Sequence, residues 1–105
     1  MSKLLITTQV YENYAWREDG SLGIGPEAYW KAKGGNDYVI RNIDINSVQE
    51  LAKSACAQVE QANDYYTETV IHWQVVPDDY LTEFERSQLE YEGSIQYPAQ
   101  ELQVA

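Results

Sequence analysis

The segment from Val48 to Ala62 constrains this chain most. Val48, Leu51, Ala52, Ala55, Val59 and Ala62 recur at i, +3, +4, +7, +11 and +14, a single apolar stripe on an α-helix. Half of that stripe is alanine, so the helix can lie close against a flat partner, and a sheet is the flat partner available. Ser47-Val48-Gln49-Glu50 has the spacing of a capping box, with the serine oxygen accepting from the first turn and the glutamate reaching back.

The flanking sequence supplies strands for that sheet. In Lys3–Val10, Leu4, Ile6, Thr8 and Val10 alternate with Leu5, Thr7 and Gln9, and apolar residues on both faces predict an interior strand. Glu12–Pro26 is rich in turn residues and forms a long connection, unusual in holding Tyr14 and Trp16. Glu27–Lys33 and Asp37–Ile43 flank Gly34-Gly35-Asn36 and predict a β-hairpin. Tyr65–Val76 predicts a long strand. Strict alternation there puts Tyr65, Thr67, Thr69, Ile71, Trp73 and Val75 on one face, and Tyr66, Glu68, Val70, His72, Gln74 and Val76 on the other. The first set makes the better core face towards its later end, and Pro77 stops the strand.

After Pro77, Asp78 or Asp79 can cap a second helix running towards Tyr91 and stopped by Gly93. Its stripe of Leu81, Phe84, Gln88 and Tyr91 is weak, which predicts a largely exposed, acidic helix. Ser94–Tyr97 can add a short edge strand. The expected order is β-β-β-α-β-α within one domain, residues 1–105. The expected fold is α+β: a small antiparallel or mixed sheet of about four strands covered by the alanine-rich helix.

Charge narrows the choice of partner. The 105 residues carry 17 acids against 7 Lys and Arg, net −10. Residues 1–53 hold seven acids and six bases, whereas residues 54–105 hold ten acids and one base, Arg86. Phosphate contacts need a positive patch, so direct binding of DNA or RNA is disfavoured and a basic protein surface is favoured. Nine Tyr and three Trp stand against one Phe, a balance that suits interfaces because these rings pair an apolar body with a polar handle. The candidate partner-binding residues are Tyr66, Glu68, Asp78, Asp79, Tyr80, Glu83, Glu85, Glu90, Tyr91 and Glu92. The bland alternative for these acids is a solvated face that maintains solubility.

A second candidate site gathers Lys31, Lys33 and Arg41, the main concentration of positive charge, beside Tyr11, Tyr14, Trp16 and Trp30. Such rings could stack on a base while the cations meet phosphate, as in sequestration of a nucleotide-like signal. Conventional catalytic or metal chemistry has little support. His72 is the lone histidine and Cys56 the lone cysteine, so a Cys56–His72 pair or a Glu68–His72 metal site needs a convergence that no motif announces. A single cysteine also excludes an internal disulfide framework. Gly23-Ile24-Gly25-Pro26 lacks the Gly-Lys-Ser/Thr ending of a phosphate loop, and Pro26 removes a backbone donor. Neither catalytic residues nor a cofactor are expected. No apolar run reaches the ~18 residues of a membrane span, and the first residues lack a signal peptide's apolar middle, so a cytoplasmic protein is expected.

Two short motifs carry a resemblance. Leu5-Ile6-Thr7-Thr8-Gln9-Val10-Tyr11-Glu12-Asn13-Tyr14, followed by Tyr29-Trp30-Lys31-Ala32-Lys33-Gly34-Gly35, resembles small proteins encoded by tailed bacteriophages. In those, a Thr-Gln-Val-aromatic-Glu-Asn-Tyr segment precedes a Trp-Lys-x-Lys-Gly-Gly segment. The likeness lies within residues 1–40 and does not extend to the acidic second half. It transfers no activity, but implies a phage origin and action in the bacterial cytoplasm. Together with the acidity it points to a non-enzymatic inhibitor of a host defence or nucleic-acid-handling protein, acting through a surface that imitates nucleic-acid charge.

Overall fold

A computed structural model describes residues 2–13 and 30–103. The elements are β1 (Ser2–Asn13), β2 (Trp30–Ala32), β3 (Asp37–Arg41), a 3-10 turn (Ile45–Ser47), α1 (Val48–Val59), β4 (Gln61–Ala62), β5 (Tyr66–Pro77), α2 (Glu83–Glu92) and β6 (Gln100–Glu101). The fold is α+β. Its sheet has six strands because β4 and β6, two residues each, carry too little sequence to announce themselves. The order is β4-β5-β1-β3-β6 with β2 also on β1, and β6 lies parallel to β3, so the sheet is mixed.

The interior strand expected at the start of the chain is β1. It pairs with β5 from Ser2–Pro77 to Glu12–Tyr66 on one side, and with β3 and β2 in succession on the other. Leu4, Ile6 and Ile40 on one face pack against Ala52, Ala55 and Val59 of α1. This is the close approach that the alanine stripe allows. On the opposite face Leu5, Val39 and Val76 form a smaller core joined by Tyr80 and Ala99.

Three local expectations change. First, Gly34-Gly35-Asn36 is not a hairpin turn. β2 and β3 both pair antiparallel with β1, and the residues between them stay bonded to it: Lys33 N–H to Val10 O at 2.8 Å, Val10 N–H to Gly34 O at 2.8 Å and Thr8 N–H to Asn36 O at 2.9 Å. Residues 33–36 thus face residues 8–10 of β1 with one residue in excess, a bulge rather than a reversal. A Cβ on Gly35 would lie 1.9 Å from the Thr8 carbonyl oxygen, and Gly34 has φ +86°, so the glycines allow the bulge to hug β1.

Second, β5 does not alternate strictly. Thr7 pairs with His72 but Thr8 with Val70, which leaves Ile71 bulged out. The bulge switches the phase of the strand. Tyr66, Glu68 and Val70 therefore share a face with Trp73 and Val75, while His72 and Gln74 take the other side.

Third, the caps move. Ser47 makes no side-chain cap; Asp44 instead accepts from Asn46 N–H at the start of the 3-10 turn. α1 ends at Val59 rather than Ala62 because Gln61 and Ala62 pair with Glu68 and Thr67. Asn63 Oδ1 closes that turn by accepting from Tyr65 and Tyr66 N–H. Thr82, not Asp78 or Asp79, caps α2, in a full capping box with Glu85, and Gly93 ends it with φ +78°. Ser94–Tyr97 forms no strand; the late strand is β6. No helix among the described residues is long and apolar enough to cross a membrane.

The Gly35 contact yields a direct test. Gly35→Ala must move the β1 backbone and is expected to destabilise by about 2–4 kcal/mol. Gly34→Ala has open space and should cost about 1 kcal/mol through its positive φ. Urea unfolding of the two variants checks the ranking.

Candidate functional site

α2 presents two kinds of side chain in adjacent rows. Phe84, Ser87 and Tyr91 fall at i, +3 and +7, and Glu83 and Glu90 run beside them one position earlier. Phe84 and Tyr91 are exposed, Tyr91 at 83%, and Tyr97 from the returning chain is 70% exposed. Phe84, Ser87, Tyr91, Glu92 and Tyr97 line a shallow, mostly apolar depression of about 210 Å³. Asp78 and Asp79, also exposed, stand in the turn ahead of the helix. Arg86 stands between Glu83 and Glu90 in the same row, its guanidinium 5.3 Å from the centre of the half-buried Tyr80 ring and donating to Leu81 O.

The helix is held by polar groups rather than by its weak apolar stripe. Gln88 is buried: its Oε1 accepts from Gln96 and Tyr97 N–H, and its Nε2 donates to Tyr97 O. Glu85 Oε1 accepts from Thr82 N–H and Oε2 from Ala99 N–H. Glu85 was expected on the partner-binding surface. It is buried instead, because the capping box and the returning backbone consume its oxygens.

Glu68 requires the larger correction, since it is 2% exposed. Thr8 Oγ1 donates to its Oε2 at 2.5 Å, Asn36 Nδ2 at 2.9 Å and Tyr38 OH at 2.7 Å, while Tyr66 OH donates to Oε1 at 3.2 Å. Burial pushes this carboxyl up, but the four donated bonds outweigh burial and leave it below the ordinary value of 4.5. Burial first, and the adjoining carboxylate second, raise the Tyr38 phenol well above the usual tyrosine range. Tyr66 is raised by burial and by Glu68. Half-buried Tyr66 is thus tied into this network through its hydroxyl. Both bulges lie beside it: one delivers Asn36 next to Thr8, the other turns Glu68 to the α1 side.

The late acids consequently do not form one patch. Glu60 accepts from Val70 N–H and Glu101 pairs with Arg41 at 3.9 Å. Asp64 precedes β5 and Asp78 follows it, and a strand of that length separates them by roughly 40 Å. The group that does stay together is Asp78, Asp79, Glu83, Glu90 and Glu92, on the turn and α2.

The alternative ligand site does not assemble. Lys31 pairs across from Glu12 and Arg41 across from Lys3, nine residues apart on β1 or roughly 30 Å. The three cations were grouped on the expectation of a hairpin, and its absence spreads them along one side of β1. Lys33 lies 3.8 Å from Glu12. Tyr11 and Trp30 are partly exposed near the β1–β2 end, whereas Tyr14 and Trp16 fall outside the described residues.

His72 and Glu68 lie on opposite sheet faces because of the Ile71 bulge, and Cys56 packs with the α1 core on the face away from His72. Burial, then Glu60, raises the Cys56 thiol. No group of three or more His, Cys, Asp or Glu suited to a metal occurs among the described residues. The chain matches no protein-family model, no curated protein and no solved structure.

Sequence reasoning passed over two groups. The Thr82-Glu83-Phe84-Glu85 capping box was legible as Thr-x-x-Glu. In the cage around Glu68, Tyr66 was legible as a neighbour on the same strand face, but Thr8, Asn36 and Tyr38 had no local signal.

The cage implies an acid-sensitive stability. A carboxyl lowered by folding contributes stability that is complete above its unfolded value and is lost as pH falls through its folded value. Glu68→Gln should cost about 1–3 kcal/mol at neutral pH. The gap between the variant and the parent should narrow below about pH 4.5, as urea midpoints across pH 3–7 would register.

Proposed function

We propose that this protein is a non-enzymatic binding protein whose α2 surface docks on a basic protein surface. In this reading it is a phage-encoded inhibitor that occupies a nucleic-acid-binding surface of a bacterial host protein. The observation that carries it is the exposed ring row Phe84–Tyr91–Tyr97 set beside Glu83, Glu90 and Glu92, with Asp78 and Asp79 at one end. Exposed aromatic patches rimmed by charge favour association, the rings supplying affinity and the carboxylates steering and orienting encounter. The resemblance of residues 1–40 to tailed-phage proteins supports the bacterial setting. The net charge of −10 supports a cationic target and disfavours direct nucleic-acid contact.

The test is affinity capture from bacterial lysate on the immobilised full chain, with two variants alongside. A specific protein should be retained at low salt, displaced by added duplex DNA, and bound roughly tenfold more weakly at physiological salt. Glu83→Gln/Glu90→Gln/Glu92→Gln should slow association and flatten the salt dependence. Phe84→Ala/Tyr91→Ala should raise the dissociation rate at least about tenfold. Retention that ignores salt and both sets of substitutions would refute the proposal.

A further inference from the structure

The outer edge of β5 is built differently from α2. β4 covers β5 only at Thr67 and Glu68, and Glu60 occupies the Val70 N–H. Beyond the Ile71 bulge, His72–Val76 has no strand on its outer side among the described residues. Edge strands are ordinarily blunted by charge, proline, a bulge or a covering element. The bulge and Glu60 protect the first part of this edge. The part that follows, His72-Trp73-Gln74-Val75-Val76, contains neither a charged residue nor a proline, and Pro77 ends the strand just ahead of Asp78 and Asp79. Ile71, at its start, is 60% exposed.

A groove of about 430 Å³ follows the flank of α1 and touches β5 at Trp73; Gln49, Lys53, Cys56, Ala57 and Glu60 line it. Its charges are arranged symmetrically. Lys53 lies three positions before Cys56 and Glu60 three positions after Ala57. If two such flanks meet antiparallel about an axis through the Cys56–Ala57 step, Lys53 of each copy faces Glu60 of the other. The same axis would set the two β5 edges antiparallel beside Trp73, and the small exposed side chain of Ala57, next to Cys56, leaves room for the helices to approach.

We infer that the free edge of β5 and the adjoining flank of α1 form a pairing surface for a second copy of this chain, antiparallel about a two-fold axis beside Trp73. The contact is isologous, with the same patch on both copies, and joins the two sheets into one continuous sheet. A strand from an unrelated protein could use the edge, but only a second copy matches the Lys53–Glu60 spacing on both sides of the axis. This surface shares no residue with the α2 docking surface.

Sedimentation equilibrium of the full chain, at concentrations up to about 100 μM, is the first test. It should give twice the 12.1 kDa chain mass. Lys53→Glu, an exposed substitution, places like charges across the axis and should weaken dimerisation about tenfold or more. Lys53→Glu/Glu60→Lys exchanges the charges and should recover most of that loss. A short bismaleimide should join Cys56 to Cys56 between copies of the parent chain, and not in Lys53→Glu. A chain that stays monomeric, or a folded Lys53→Glu that dimerises with unchanged affinity, would overturn the inference. So would failure of the folded double variant to recover.

Discussion

Glu68 is buried between β5, β1 and the bulged segment ahead of β3, and a carboxylate so placed is stable only while donors surround it. Thr8, Asn36, Tyr38 and Tyr66 supply them from three segments of the chain. Bringing them together needs both departures from regular pairing beside Thr8. One lets Asn36 approach β1 over two glycines; the other turns Glu68 towards the side that α1 covers. Loss of either bulge would leave a charge without its partners. The register of β1 against both neighbours and the placement of this acid are therefore one constraint. Among the described residues, no buried side-chain nitrogen or oxygen lacks a hydrogen-bond partner.

Acidity serves different ends at different places in this molecule. Glu68 and Glu85 are internal acceptors, Glu60 caps a backbone donor, and Glu101 answers Arg41. Asp79, Glu83, Glu90 and Glu92 are exposed and can act through long-range electrostatics. Glu83, Glu90 and Glu92 on α2 share no residue with the outer edge of β5, whereas Asp78 and Asp79 follow directly after its end at Pro77. α2 can display aromatic rings outward because its anchoring is polar: Gln88 and Glu85 bind the returning backbone, so Phe84 and Tyr91 are not needed for a core.

The elements that were legible depend on neighbours in sequence. The apolar stripe of α1, the mixed apolar faces of β1, Pro77 at the end of β5 and Gly93 after α2 each act within a turn or two of chain. The errors share the opposite character. Gly34-Gly35-Asn36 has hairpin chemistry, yet its conformation answers to the Thr8 carbonyl, 27 residues earlier than Gly35. Strict alternation along β5 put Glu68 with His72, because a one-residue bulge leaves no mark in hydrophobic periodicity. Grouping Lys31, Lys33 and Arg41 inherited the hairpin error.

From its residues alone, this chain determined that an alanine-faced helix would cover a sheet built around its first strand, and that excess negative charge would lie in its second half. Local periodicity, capping chemistry and composition act over a few bonds, so they survive without knowledge of the fold. Which carboxylates face water was decided only by tertiary structure. That outcome turns on strand register and on donors drawn from distant segments, and a side chain's exposure is a property of what the folded chain sets against it.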